Sequence, residues 1–235
     1  GMFALGLQPT GSKDPFALRR QANGLIKTLA EHNLPLTVSR VISAAQGGHK
    51  VARAKDAGNE TAAFFRERLD FYLREVLDFK YDEVNAVLAA GSDDVADAVA
   101  RVQAVSAVRG SEDFVSISVS FKRMKNILRQ AQETGKAVRA TFDPASLTEP
   151  AERELAAQMP HIAGVVDRLR TVKNYPQALT EISRLRSLID AVFDKVMVMV
   201  DDENVRGNRL ALLQKLVDDF STIADFSEIV TEGKS

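Results

Sequence analysis

FVSISVSFKRMKNILRQA, residues 114–131, starts like a β-strand: Val115, Ile117 and Val119 alternate with serines, and β-branched residues favour strands. Phe114, Ile117, Phe121, Met124, Leu128 and Ala131, however, step by three and four, which lines one side of an α-helix. The longer period covers the whole stretch and absorbs the shorter one. The spacing therefore predicts a single helix that ends near Gly135.

Two more segments repeat the pattern. Ile182, Leu185, Ile189, Val192, Val196 and Met199 form one apolar seam, and Leu210, Leu213, Val217, Phe220 and Ala224 form another. VMVMV, residues 196–200, lies inside the first and is assigned to helix by the same rule. With a helical segment over 148–172, these seams predict an all-α protein built on an antiparallel helical bundle. Pro160 is expected to kink or divide its helix, because its ring removes an internal hydrogen bond.

A smaller helical region precedes the bundle. Asp14 and Pro15 read as N-cap and first turn of a helix reaching about His32, and a second runs from about Thr37 to Gln46. GGHKVARAKDAGN, residues 47–59, reads as a linker. Asn59 is expected to cap a helix with Phe65, Leu69, Tyr72 and Val76 on one face. A short helix over 82–90 ends at Gly91, and Ser92 caps another running to about Arg109. The divisions drawn from this are 1–58, 59–110 and 111–235.

Composition narrows the chemistry. The chain has 235 residues, 45% hydrophobic and 27% charged, as in ordinary globular proteins. It has no cysteine, hence no disulfide framework, thiolate zinc site or thiol nucleophile. The formal net charge of −1 requires any nucleic-acid contact to come from a local patch. No apolar run approaches the roughly 20 residues that span a bilayer. Gly1 before Met2 looks like a scar of tag removal, and FALGLQPTGSKDP, residues 3–15, reads as the middle of a longer protein. His32, His49 and His161 stand singly, without metal-ligand spacing. Gly11-Ser12 reads as a turn, and no catalytic constellation is present.

Charge points to a binding role. From Phe121 to Arg139, Lys122, Arg123, Lys125, Arg129, Lys136 and Arg139 stand against one acid, Glu133. Lys122, Lys125 and Arg129 share a helix face beside the seam, with Asn126 next to them. Such a stripe holds phosphates, and the amide could read a base edge; the plainer reading is a solvated helix face. A second cluster, Arg206, Asn208 and Arg209, sits near a helix N-terminus, where cations gain nothing from the helix dipole. Either Asp201, Asp202 and Glu203 neutralise it internally, or it meets a nucleic acid.

In order along the chain, PTGSKDPFALRRQANGLIKTL, FFRERLDFYL, YDEVNAVLA, SFKRMKNIL and AVFDKVMVMVDDENVRGNRLALLQKL resemble the C-terminal third of bacterial glycine–tRNA ligase beta subunits. The resemblance implies a DALR-type anticodon-binding bundle at 111–235, preceded at 1–58 by the end of an HD-like domain whose His–Asp residues lie elsewhere. It also implies a cytoplasmic α2β2 enzyme in which the alpha subunit uses ATP and Mg2+ to activate glycine. This segment would then need no cofactor and perform no chemistry itself; its partners would be glycine tRNA and the alpha subunit, with no membrane. Under that resemblance Lys122, Arg123, Lys125 and Arg129 are the expected phosphate contacts. Asn126, Arg206, Asn208 and Arg209 are the expected contacts to bases or loop, glycine anticodons ending in cytosines. The alternative role is a helical module that docks the alpha subunit.

Overall fold

The computed structural model describes residues 1–47 and 54–231, with backbone only at 54–56. His49 and the part of the expected linker at 48–53 lie outside the described residues; 47 and 54–59 are helical. The helices are α1 (Leu18–Glu31), α2 (Val38–Gly47), α3 (Ala54–Phe71), α4 (Tyr81–Ala89) and α5 (Val95–Val108), then α6 (Glu112–Glu133), α7 (Pro150–Thr171), α8 (Tyr175–Ser183), α9 (Arg186–Lys195) and α10 (Glu203–Phe220). Among the described residues there is no strand, and the fold is all-α. The chain forms two compact units, Gly1–Val102 and Gln103–Ser235.

In the first unit α3 is the central element, touched by α1, α2, α4 and the short turn Phe3–Leu5. Ile26, Leu29, Leu69, Leu73, Val84 and Val87 are its sealed interior. The boundary drawn at 58/59 falls inside α3, which begins before Asn59. Gly58 is helical and faces α2, where a Cβ would stand 2.7 Å from the Gln46 Nε2 at the tip of a flexible side chain. α1 also starts later than expected. Ala17 adopts a left-handed φ of 53°, and the Asp14 carboxylate reaches across it to accept from the Leu18 and Arg19 amides at 2.8 and 2.9 Å. Asp94, not Ser92, caps α5, accepting from Asp97 N at 2.9 Å. Past α3 the chain widens into a π turn at Tyr72–Val76, with Leu77 N donating to Tyr72 O.

The second unit is the bundle. α6 buries Phe114, Ile117, Phe121, Met124, Leu128 and Ala131, the seam read from sequence, so SISVS is helical. Ser111 caps its start, accepting from Phe114 N at 3.3 Å. Its end is closed by Gly135, φ 67°, with Lys136 N donating back to Ala131 O at 2.8 Å. Phe226, near the C-terminus, meets Phe114 and Phe121 edge-on at 5.6 and 5.2 Å. α7 packs on α8, α9 and α10, and α6 on α8, α9 and α10. α7 runs undivided through Pro160, which lies on its exposed side.

VMVMV departs from expectation. The helix predicted over the 182–199 seam is split between α8 and α9 and stops at Lys195. Val196 is extended at φ −120°, ψ 119°, and burial alternates: Val196 and Val198 are inside, Met197 is 73% exposed. The seam marks the buried residues as far as Val196, since Ile182, Leu185, Ile189, Val192 and Val196 all are, but Val198 rather than Met199 continues it. It fails on backbone conformation, for a reason supplied by α10.

Candidate nucleic-acid interface

α10 begins at the Asp202 cap, whose carboxylate accepts from the Asn204 and Val205 amides at 2.8 and 3.0 Å. These bonds hold the Asp202 carboxyl below the usual carboxylate range. One turn on, Arg206 Nη1 donates to the carbonyls of Val200 and Asp201 at 2.7 and 3.0 Å. Arg209 Nη1 donates to Met197 O at 2.9 Å. In a helix those carbonyls would accept from amides four residues on; here α10 side chains take them, and the segment stays extended.

Arg209 also forms a buried ion pair with Glu152 of α7, Nε to Oε1 at 2.5 Å, and donates to Thr148 Oγ1 at 3.1 Å. Asn208 makes a reciprocal pair with the Asp143 backbone, accepting from its N at 2.7 Å and donating to its O at 3.0 Å. Asn204 accepts from Arg139 at 2.7 Å across Gly207, where an added Cβ would come within 3.4 Å of the arginine. The first turns of α10 thus fasten both 139–152 and 197–201.

This relocates three expected contact residues. Arg206, Asn208 and Arg209 are only 8%, 1% and 8% exposed, and their polar groups are engaged within the protein. The internal partner foreseen for the arginines exists, but it is chiefly Glu152 and backbone carbonyls. The acids nearby contribute little, with Glu203 at 3.8 Å from Arg206 and Asp202 occupied as a cap.

The α6 stripe is where sequence placed it. Lys122 is exposed and has no hydrogen bond or ion pair among the described residues. Arg129 is exposed, 3.2 Å from Asn126 Oδ1 and 4.0 Å from Glu133, so Asn126 serves the arginine. Exposed pairs of this kind are worth only about 0–1 kcal/mol and yield readily to a stronger anion. Lys125 pairs with Asp225 while remaining 40% exposed. Arg123 lies off the stripe, its guanidinium 4.1 Å above the Phe193 ring on α9.

Beside the stripe an open groove of 530 Å³ separates the end of α6 from α10. Lys125, Arg129 and Lys136 rim it, Leu128, Val138 and Val217 form its apolar side, and Gln214 reaches in from α10. No carboxylate among the described residues lines it. Lys136 and Gln214 were missed as site residues. The Gly135 stop gave a signal for Lys136, because such a turn folds the next residue back on the helix end. Nothing in sequence singles out Gln214.

Residues 117–226, the stretch that carries this basic face, match the profile of the DALR anticodon binding domain. Residues 1–89 match that of the glycyl-tRNA synthetase beta subunit. The chain is 54% identical over 233 residues to the glycine–tRNA ligase beta subunit of Acidobacterium capsulatum, covering 97% of this chain and 33% of that protein. It is 41% identical to those of Desulforamulus reducens and Moorella thermoacetica, over 100% and 98% of this chain and again 33% of each relative. The chain belongs to the glycine–tRNA ligase beta-subunit family. It spans about a third of the length of these relatives.

Proposed function

We propose that the chain binds glycine tRNA, chiefly its anticodon arm, through the basic face of α6 and the adjoining groove. It does so as part of a cytoplasmic ligase that joins glycine to tRNA in an ATP-dependent aminoacylation. One observation carries this reading: the stretch matching the anticodon-binding profile is the stretch that bears the open cations Lys122 and Arg129. Phosphates of an RNA loop give Lys122 a partner that the described residues do not supply, and give Arg129 a stronger one than its exposed contacts with Asn126 and Glu133; release of condensed counterions drives the contact. The bases of such a loop are unstacked, with their pairing edges open to protein groups. Lys125 supports the same face, already steadied by Asp225, whereas Arg123 is held off it by Phe193. Arg206, Asn208 and Arg209 act behind it by fixing the loops. The relatives' naming as beta subunits supports an alpha partner, where ATP and Mg2+ would act; this chain contributes by positioning the tRNA.

The test is fluorescence anisotropy with glycine tRNA and with a transcript whose anticodon cytosines are replaced by uracil. Tighter binding to the first is expected, and Lys122→Glu combined with Arg129→Glu should weaken binding to both by about tenfold or more. Equal and weak binding to both transcripts would remove the anticodon from the proposal.

A further inference from the structure

Arg68 of α3 is mostly buried, with its side chain 18% exposed, yet it makes no hydrogen bond among the described residues. Its guanidinium stands 5.8 and 5.7 Å from the ring centroids of Phe64 and Phe71, and its Nε is sealed from solvent. The donors left accessible are therefore its two Nη groups. Glu67, 3.7 Å away and itself exposed, is too distant to bond them. Arg66 and Arg74 line the same groove, a 480 Å³ cleft along α3, the π turn and α4. Arg66 Nη1 donates to Leu88 O at 2.7 Å, and no carboxylate pairs with this arginine among the described residues. Arg74 Nη2 donates to Asn85 Oδ1 at 2.7 Å and meets Asp70 at 2.9 Å, which leaves Nη1 uncommitted. Arg66 and Arg74 are thus held from α4, and Arg68 by two rings, before any ligand arrives.

We propose that this groove docks an acidic protein segment, which sets a Glu or Asp carboxylate on the open donors of Arg66, Arg68 and Arg74 and an apolar neighbour on the exposed ring of Phe71. A guanidinium held in place suits a carboxylate, whose two oxygens accept from both Nη groups of one arginine. The choice of protein over nucleic acid follows from charge. Glu67, Asp70 and Glu75 line the same groove, and Glu75 has no partner among the described residues. Those three charges oppose the serial phosphates of RNA, whereas a segment with one carboxylate brings only the charge that the arginines take up. The groove beside α6 differs on this count, since no carboxylate among the described residues lines it. Arginine beside an exposed aromatic ring is also the composition of protein–protein interface anchors. The groove falls at 66–88, within the stretch that matches the beta-subunit profile and before the anticodon-binding one, so the inference stands apart from the RNA-binding reading.

Arginine side-chain NMR on the full chain reads each guanidinium during titration with the blocked peptide acetyl-Leu-Glu-Phe-Glu-amide, its counterpart with glutamine for glutamate, inorganic phosphate, and a uridine hexanucleotide. The acidic peptide should shift the Arg66, Arg68 and Arg74 signals and bind about tenfold tighter than the glutamine peptide, the ratio a charge-assisted bond gives. Glu75→Gln, at an exposed position, removes a like charge and should tighten the acidic peptide by about twofold while leaving the glutamine peptide unchanged. Arg68→Met should bring the two peptides to equal affinity. Arg66→Gln, an exposed change that leaves Arg68 on its rings, should lower the ratio by about threefold with the melting temperature unmoved. Equal wild-type affinity for the two peptides overturns the carboxylate recognition. Tighter binding of the hexanucleotide than of the acidic peptide at these arginines overturns the protein occupant. Response to phosphate alone reduces the groove to an anion site and overturns docking, and no shift with any probe overturns the site itself.

Discussion

Arg209 shows what sequence cannot say about a charged residue. An arginine near a helix N-terminus opposes the dipole, so an outside partner was a reasonable expectation. Its actual partner, Glu152, is 57 residues away and 1% exposed in its side chain. Neither local spacing nor charge pattern encodes that distance. The pair makes a sharp prediction. Arg209→Ala strands a buried carboxylate and should lower unfolding free energy by about 3–5 kcal/mol, whereas Arg209→Met with Glu152→Leu should lose much less. Urea denaturation of the single and double variants measures this; additive losses would show that the two side chains act separately. Lys122 and Arg129 were legible for the opposite reason. Their place on the helix depends only on the distance from Phe121 and Leu128, and helical spacing is local.

At the scale of elements, the same contrast separates α6 from VMVMV. Both carry β-branched residues inside a seam with spacings of three and four. α6 has its own cap, stop and buried face, so local and tertiary preferences agree. Residues 196–200 have carbonyls held by Arg206 and Arg209, and tertiary bonds override the helical pattern. The Asp202 cap ties α10 to this arrangement and carries a pH signature. Its folded pKa lies below the ordinary value, so the ionised form is the stabilising one. That stabilisation is complete above the ordinary carboxylate pKa of about 3.9 and is lost as pH falls through the lower folded value. Asp202→Ala should therefore lower the melting temperature at pH 7 and change it much less near pH 2. An equal drop at both values would mean that the carboxylate's charge plays no part in the cap.

For the chain as a whole, a net charge of −1 supplies no bulk attraction to RNA. Under the proposed function, binding rests on Lys122, Lys125, Arg129 and Lys136 at short range. Four neutralised phosphates on a single-stranded loop imply a slope of log affinity against log salt of about −3. Anisotropy titrations across a range of potassium chloride concentrations give that slope directly. A value near zero would place the contact outside this face. The family of the chain and its all-α class could be recognised from sequence because motifs and seams are linear. The groove could not, since it exists only where the end of α6 meets α10.

The fastening of residues 197–201 by α10 has an evolutionary consequence. A carbonyl oxygen is the same whichever side chain follows it. The path of this segment is thus written in Arg206 and Arg209, not in the residues that trace it. Met197, which projects into solvent, is free to drift among relatives as long as those two arginines persist. Substitution records within the family should show a variable loop beside two constant arginines, and their constancy should not be mistaken for contact with RNA.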